Sequence, residues 1–169
     1  IPPSWKKGQK VSQDKIFGGK LNLFWEEPIS HGGSPMKYYA IAYLRKAADT
    51  VNACDNQVGD ALVFMGNTTT NRFTLYRLQA VSSFCVYICG YNGVGSSCLV
   101  GEAQTGQVDP ASSPTDVTSA SITPSLLTLT WNVPIYLGGS QIRRYRIRLW
   151  HSNITQAYFT EDSTATIVN

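Results

Sequence analysis

Four cysteines, two histidines and a short run of arginines are the residues of this 169-residue chain whose chemistry could build a site. Cys85 and Cys89 lie in the apolar run FCVYICGYN, where strand alternation puts both on one face. Their four-residue spacing spans about 13 Å at roughly 3.3 Å per residue. That exceeds the roughly 7 Å between Cα atoms that a disulfide tolerates, and it keeps the two sulfurs from sharing one zinc ion. Each therefore needs its own partner.

The remaining polar chemistry points away from catalysis. His31 lies in a Gly-rich loop and His151 follows a strand far along the chain, so no Ser-His-Asp arrangement or metal cluster is legible. Glu26 and Glu27 are adjacent on a strand, face opposite sides and cannot act as a carboxylate pair. No Gly-rich phosphate loop leads from a strand into a helix. The expectation is a protein that is not an enzyme and needs no cofactor or metal. Arg144, Arg146 and Arg148 alternate with Tyr145, Ile147 and Leu149 and line one strand face with Trp150. Three guanidiniums in a row suit an acidic protein or sulfated glycan, or they form a solvated face. In the second case a turn near Asn153-Ile154 brings Glu161 beside Arg146 as a cross-strand ion pair.

These residues must be positioned by strands. Leu21, Leu23 and Trp25 alternate with polar residues, as do Tyr39, Ile41 and Tyr43. Gly32-Gly33-Ser34-Pro35, Gly66-Asn67, Asn92-Gly93 and Gly138-Gly139 punctuate the strands, and helical periodicity is absent. Charged residues make up 15% of the chain, so the polar surface is largely uncharged, as in exposed all-β proteins. The net charge of +3 is too small to argue for nucleic acid, and no apolar run reaches the roughly 18 residues of a membrane span. Without an initiator Met or signal peptide, the chain reads as a mature or excised segment.

The strand pattern occurs twice. WEEPISHGGSPMKYYAIAY from Trp25 aligns without a gap on WNVPIYLGGSQIRRYRIRL from Trp131. An interval of about 100 residues fits a tandem of whole domains. The boundaries expected are 1–108 for the first unit and 109–169 for the second. The second reads as the N-terminal part of a domain, completed by missing sequence or by another chain. Between the units, Val108-Asp109-Pro110-Ala111-Ser112-Ser113-Pro114 forms a short linker whose two prolines restrict their arrangement.

Both copies resemble fibronectin type III domains: a second-strand Trp, then Pro, a Gly-rich loop, and a third strand with Tyr-x-Ile. The first copy also keeps the register of the family's sixth strand, from Leu78 through Ala80, Ser82, Phe84, Val86, Ile88 and Gly90 to Asn92. The resemblance implies an all-β fold of tandem Ig-like β-sandwiches with fibronectin type III topology. Phe84 stands where the family has its corner tyrosine, so another group must hold that corner. In this register Phe84, Val86, Ile88 and Gly90 point inward, while Cys85, Tyr87, Cys89 and Tyr91 point outward. A hairpin turning at Gly93-Val94 sets Cys89 opposite Cys98 and leaves Cys54 for Cys85. Of three connectivities this is the favoured one; free buried thiols are the alternative.

Two disulfides would place the chain in an oxidising, extracellular setting. The sequons at Asn67, after the strand ALVFM, and at Asn153 fit a glycoprotein there. Tyr38 and Leu44, with Tyr87 and Tyr91, form an apolar outer face, covered either by a protein partner or by the insert that carries Cys54. The leading functional reading is an extracellular structural or adhesive module of a larger secreted or surface protein, such as a filament subunit. Its partners would be proteins or neighbouring domains of the same assembly, or an acidic glycan. The alternatives are a ligand-binding receptor ectodomain fragment and a spacer of a secreted hydrolase. Intact mass on reduction should rise by about four hydrogens, with no thiol alkylated beforehand. Four alkylatable cysteines in the native protein would remove the extracellular argument.

Overall fold

Apolar residues at every second position make strands, and the glycine and proline turns cut them short. The computed structural model describes residues 1–47, 54, 62–123, 126–151 and 154–168. Their extended regular elements are strands, with a 3-10 residue at Cys54. In the first half they are β1 (Ser12–Ile16), β2 (Leu21–Phe24), β3 (Tyr38–Arg45), β4 (Val63–Thr68), β5 (Arg72–Leu75), β6 (Ser83–Tyr91) and β7 (Ser96–Gln104). The second half adds β8 (Thr115–Thr123), β9 (Leu126–Asn132), β10 (Tyr145–His151), β11 (Ile154–Thr160) and β12 (Thr164–Val168).

The first half is a sandwich of two antiparallel sheets, ordered β1-β2-β5 and β4-β3-β6-β7. The described second half repeats the first sheet as β8-β9-β12 and the β3-β4 pair of the second as β10-β11. The sequence repeat is thus a repeat of strand topology. Leu21, Leu23 and Trp25 from one sheet meet Tyr39, Ile41, Val86 and Ile88 from the other, all nearly or wholly buried. Trp25 packs edge-on against Tyr39 with ring centroids 5.3 Å apart, and Trp131 repeats this on Tyr145 at 5.2 Å. Removing a buried aromatic of this kind costs roughly 3–5 kcal/mol. Among the described residues, the buried core cluster of the first sandwich runs from Val11 to Ala103.

One strand differs from the sequence reading. The expectation ended the strand near Met65 and put Asn67 after it. The structure carries β4 through Gly66 and Asn67 to Thr68. A bulge in the β3–β4 pairing takes up the extra residue, and Gly66 adopts φ 145° there. A glycine that would break a central strand is accommodated on this edge strand.

The corner before β6 is held without tyrosine. Phe84 is buried and packs edge-on against Tyr43. The buried Thr105 hydroxyl donates to the Gln79 carbonyl at 2.7 Å and accepts from the Ser82 backbone N–H at 3.0 Å. Ser82 in turn donates its hydroxyl to the Ala80 carbonyl at 3.1 Å. A threonine just after β7 thus bridges the loop entering the corner, at Gln79, and Ser82, which leads into β6. Thr105→Val keeps the shape and orphans the Ser82 N–H, which should cost about 1–3 kcal/mol in chemical denaturation. A loss within about 0.5 kcal/mol, the usual surface value, would assign the corner to Phe84 packing alone.

Candidate functional site

The outer face of β3 and β6 divides into two regions. Cys54 is bonded to Cys85 and Cys89 to Cys98, and no described cysteine is free. The β6–β7 register sets Cys89 directly opposite Cys98. Asn92 fixes the hairpin by accepting from the Val94 and Gly95 N–H groups at 2.8 and 2.9 Å. The Cys54 disulfide brings residues distant in sequence onto the sheet. Tyr87 donates its hydroxyl to the Cys54 carbonyl at 2.9 Å and is buried. Leu44, Ala42 and Val100 pack around this cluster. At Leu44 and Tyr87 Cys54 covers the apolar face, and the rest of the insert that carries it lies outside the described residues. Further along, Tyr38 and Tyr91 stack on each other at 4.9 Å and stay half-exposed.

The second candidate face lies on β10. Arg144, Arg146 and Arg148 are exposed, while Tyr145, Ile147 and Leu149 between them are half-buried. The expected Glu161–Arg146 pair does not form. The β10–β11 register centres the hairpin one residue earlier, which sets Phe159 opposite Arg146 and Ala157 opposite Arg148. The Arg144 and Arg146 guanidiniums lie over the Phe159 ring at 5.0 and 5.9 Å. Such contacts are worth about 0.5–1 kcal/mol at exposed sites and hold the planar groups in place. Among the described residues none of the three arginines makes an ion pair. The Trp150 side chain and Asn153 lie outside the described residues.

The structure also builds a joint that the sequence reading missed. Asp109 accepts from the Gly18 backbone N–H at 2.6 Å and from the Tyr136 hydroxyl at 2.6 Å. The Tyr136 oxygen also accepts from the Gly19 N–H at 3.3 Å. The Ala80 N–H donates to the Gly139 carbonyl at 3.0 Å, and the Lys20 ammonium lies 5.1 Å from the Tyr136 ring centre. Two loops of the first sandwich thus grip the linker and the Gly-rich loop of the second. A Cβ on Gly19 would strike the Gly139 backbone, and one on Gly139 would strike Gly18 and Ala80. Only glycine allows so close an approach. Beside the joint opens a cleft of about 900 Å³, with Arg77 from the first sandwich and Arg143 and Glu161 from the second along its walls. The signal available in the sequence was the pair Gly18-Gly19 and the linker carboxylate, but nothing local connects them.

Electrostatics reinforce the joint. The Gly18 N–H and then the Tyr136 hydroxyl hold the Asp109 carboxyl below its ordinary range. Burial and the bond to Asp109 push the Tyr136 phenol up.

No protein-family model matches the chain. The chain is 25% identical over 131 residues to receptor-type tyrosine-protein phosphatase S of Gallus gallus, over 75% of this chain. It spans only 8% of that protein's length. A solution structure of a human fourth FNIII domain superposes with a TM-score of 0.51 at 18% identity, covering 67% of this chain and 87% of that one. A two-domain fibronectin type III segment of chicken tenascin aligns over 95% of this chain and 81% of that one, at 14% identity and a TM-score of 0.42. The chain is an all-β protein with the fibronectin type III fold. Its strand order presents that fold in tandem, with two disulfides in the first sandwich.

The lowered Asp109 carboxyl gives the joint a pH dependence of defined sign. A group depressed in the folded state stabilises above its unfolded pKa and loses that contribution as pH falls through the folded one. The two halves should therefore share one alignment tensor in residual dipolar couplings at neutral pH and part below the usual carboxylate range. Tyr136→Phe should loosen them at neutral pH too. Couplings unchanged by acid and by the substitution would show that the joint does not set the domain arrangement.

Proposed function

We propose that the chain is an extracellular, non-catalytic interaction module of a larger secreted or surface protein, with residues 1–108 and 109–169 as its two units. Its contact surface for an acidic partner is the β10 face of Arg146 and Arg148, extended by Arg144 just before the strand. The observation that carries this reading is the row of exposed guanidiniums, two of them held over Phe159 and none in an ion pair among the described residues. Arginine held in this way is ready to meet carboxylate or sulfate groups without first losing a partner. The two disulfides support an oxidising compartment. The joint supports a role in which one unit positions the other, as an adhesive or structural module requires.

A second reading is a receptor ectodomain segment that binds its ligand through the same face. The 25% identity to a receptor-type phosphatase favours it over the spacer of a secreted hydrolase.

The probe is immobilised heparin, a sulfated polysaccharide. The intact chain should be retained, and the triple change of Arg144, Arg146 and Arg148 to Ala should elute at clearly lower salt. Changing the exposed Lys6, Lys7 and Lys10 to Ala removes the same charge elsewhere and should leave elution nearly unchanged. Equal loss in both triples would reduce the effect to net charge, and passage of the intact chain without retention would refute the surface.

A further inference from the structure

We propose that Asn67 is N-glycosylated and that the first sugar of its glycan packs across Ala40 against the exposed ring of Phe64. The proposal rests on the extracellular reading given above. Asn67-Thr68-Thr69 is a sequon, and Asn67 and Thr69 are both exposed. The decisive observation is the bulge in β4. In a regular strand, residues three apart face opposite sides. Here the register pairs Phe64 with Ala42 and Asn67 with Ala40, both on the outer face of β3. The extra residue at the bulge restores Phe64 and Asn67 to one side.

The surroundings suit a sugar. Ala40 opposite Asn67 and Ala42 opposite Phe64 are small, so the sheet between the two side chains is shallow. Tyr38, two residues from Ala40 on the same face, is already stacked on Tyr91 and walls the far end. Phe64 is 62% exposed, and nothing in its register calls for a ring of that size. A pyranose presents an apolar C–H face that an aromatic ring can cover. Cys54 clusters with Cys85 and Tyr87 against Leu44 and Ala42, while the Phe64 ring is exposed.

The modification is a substitution at the anomeric carbon of a lipid-diphosphate-linked oligosaccharide, the donor of the secretory pathway's transferase. The Asn67 carboxamide nitrogen forms the new C–N bond, the C–O bond to the diphosphate breaks, and the nitrogen gives up one proton. No oxidation or reduction occurs.

The test uses the full chain secreted from cultured eukaryotic cells behind a cleavable leader. Enzymatic deglycosylation in heavy-oxygen water should convert Asn67 to labelled Asp in the peptide map, read separately from Asn153. Thr69→Ala should abolish the label, whereas Thr69→Ser should keep it. The glycosylated chain should unfold at a temperature several degrees above Thr69→Ala, on the order of 4 °C. In the Phe64→Ala background that difference should largely vanish. Secretion with both disulfides intact and Asn67 unlabelled would overturn the proposal and leave the extracellular reading standing. Retention in the cell with reduced cysteines would overturn both. A labelled Asn67 whose thermal benefit survives Phe64→Ala would overturn the packing.

Discussion

The structure depends on a tryptophan from one sheet meeting a tyrosine from the other. Trp25 on Tyr39 and Trp131 on Tyr145 have nearly the same geometry, with interplanar angles of 71° and 69°. Each pair ties the strand after the first hairpin to the first strand of the facing sheet. Once it forms, Leu21, Leu23, Ile41, Val86 and Ile88 are committed to the space between the sheets, and every polar neighbour is committed to an outer face. The outer faces are then free to diverge without disturbing the core.

They have diverged sharply. In the first sandwich the outer face is apolar, and the chain covers part of it by bonding Cys54 to Cys85 and seating Tyr87 on the Cys54 carbonyl. A crosslink closing a loop of this length contributes on the order of 3–4 kcal/mol in the chain-entropy account. In the second, the equivalent strand carries arginines steadied by Phe159. One fold therefore presents a self-covered apolar surface and an open cationic one.

The Gly-rich loop does two jobs. Gly32 and Gly138 have similar positive φ, 67° and 71°, and each abuts the backbone that leads into its own sandwich, Ile1 and Asp109 respectively. Gly139 also touches Gly18 and Ala80 of the other sandwich, whereas a Cβ on its counterpart Gly33 would meet nothing within contact distance. The tight loop serves the fold in both copies. In the second copy it serves the joint as well, where Asp109 and Tyr136 fix the linker.

The strands around Leu21–Trp25, Tyr39–Tyr43 and Phe84–Asn92, the tandem repeat, the outward side of Cys85 and Cys89 and the register of the Cys89–Cys98 hairpin were legible in the sequence. Alternation and hairpin symmetry are short-range rules, and the repeat from Trp25 to Trp131 displayed them twice. Only the tertiary structure decided the rest. Thr105 replaced the missing tyrosine because a hydroxyl from another strand reached the corner. The β10–β11 hairpin turned one residue earlier than the sequence suggested and gave Arg146 a phenylalanine instead of a glutamate for a neighbour. The bulge at Gly66 put Phe64 and Asn67 on one side, against the parity of their spacing. Asp109 found Gly18 across 91 residues, and Gly19 found Tyr136 across 117. Contacts of that separation leave no periodic trace in the chain, because they depend on where the two folded units meet and not on the pattern that builds either one.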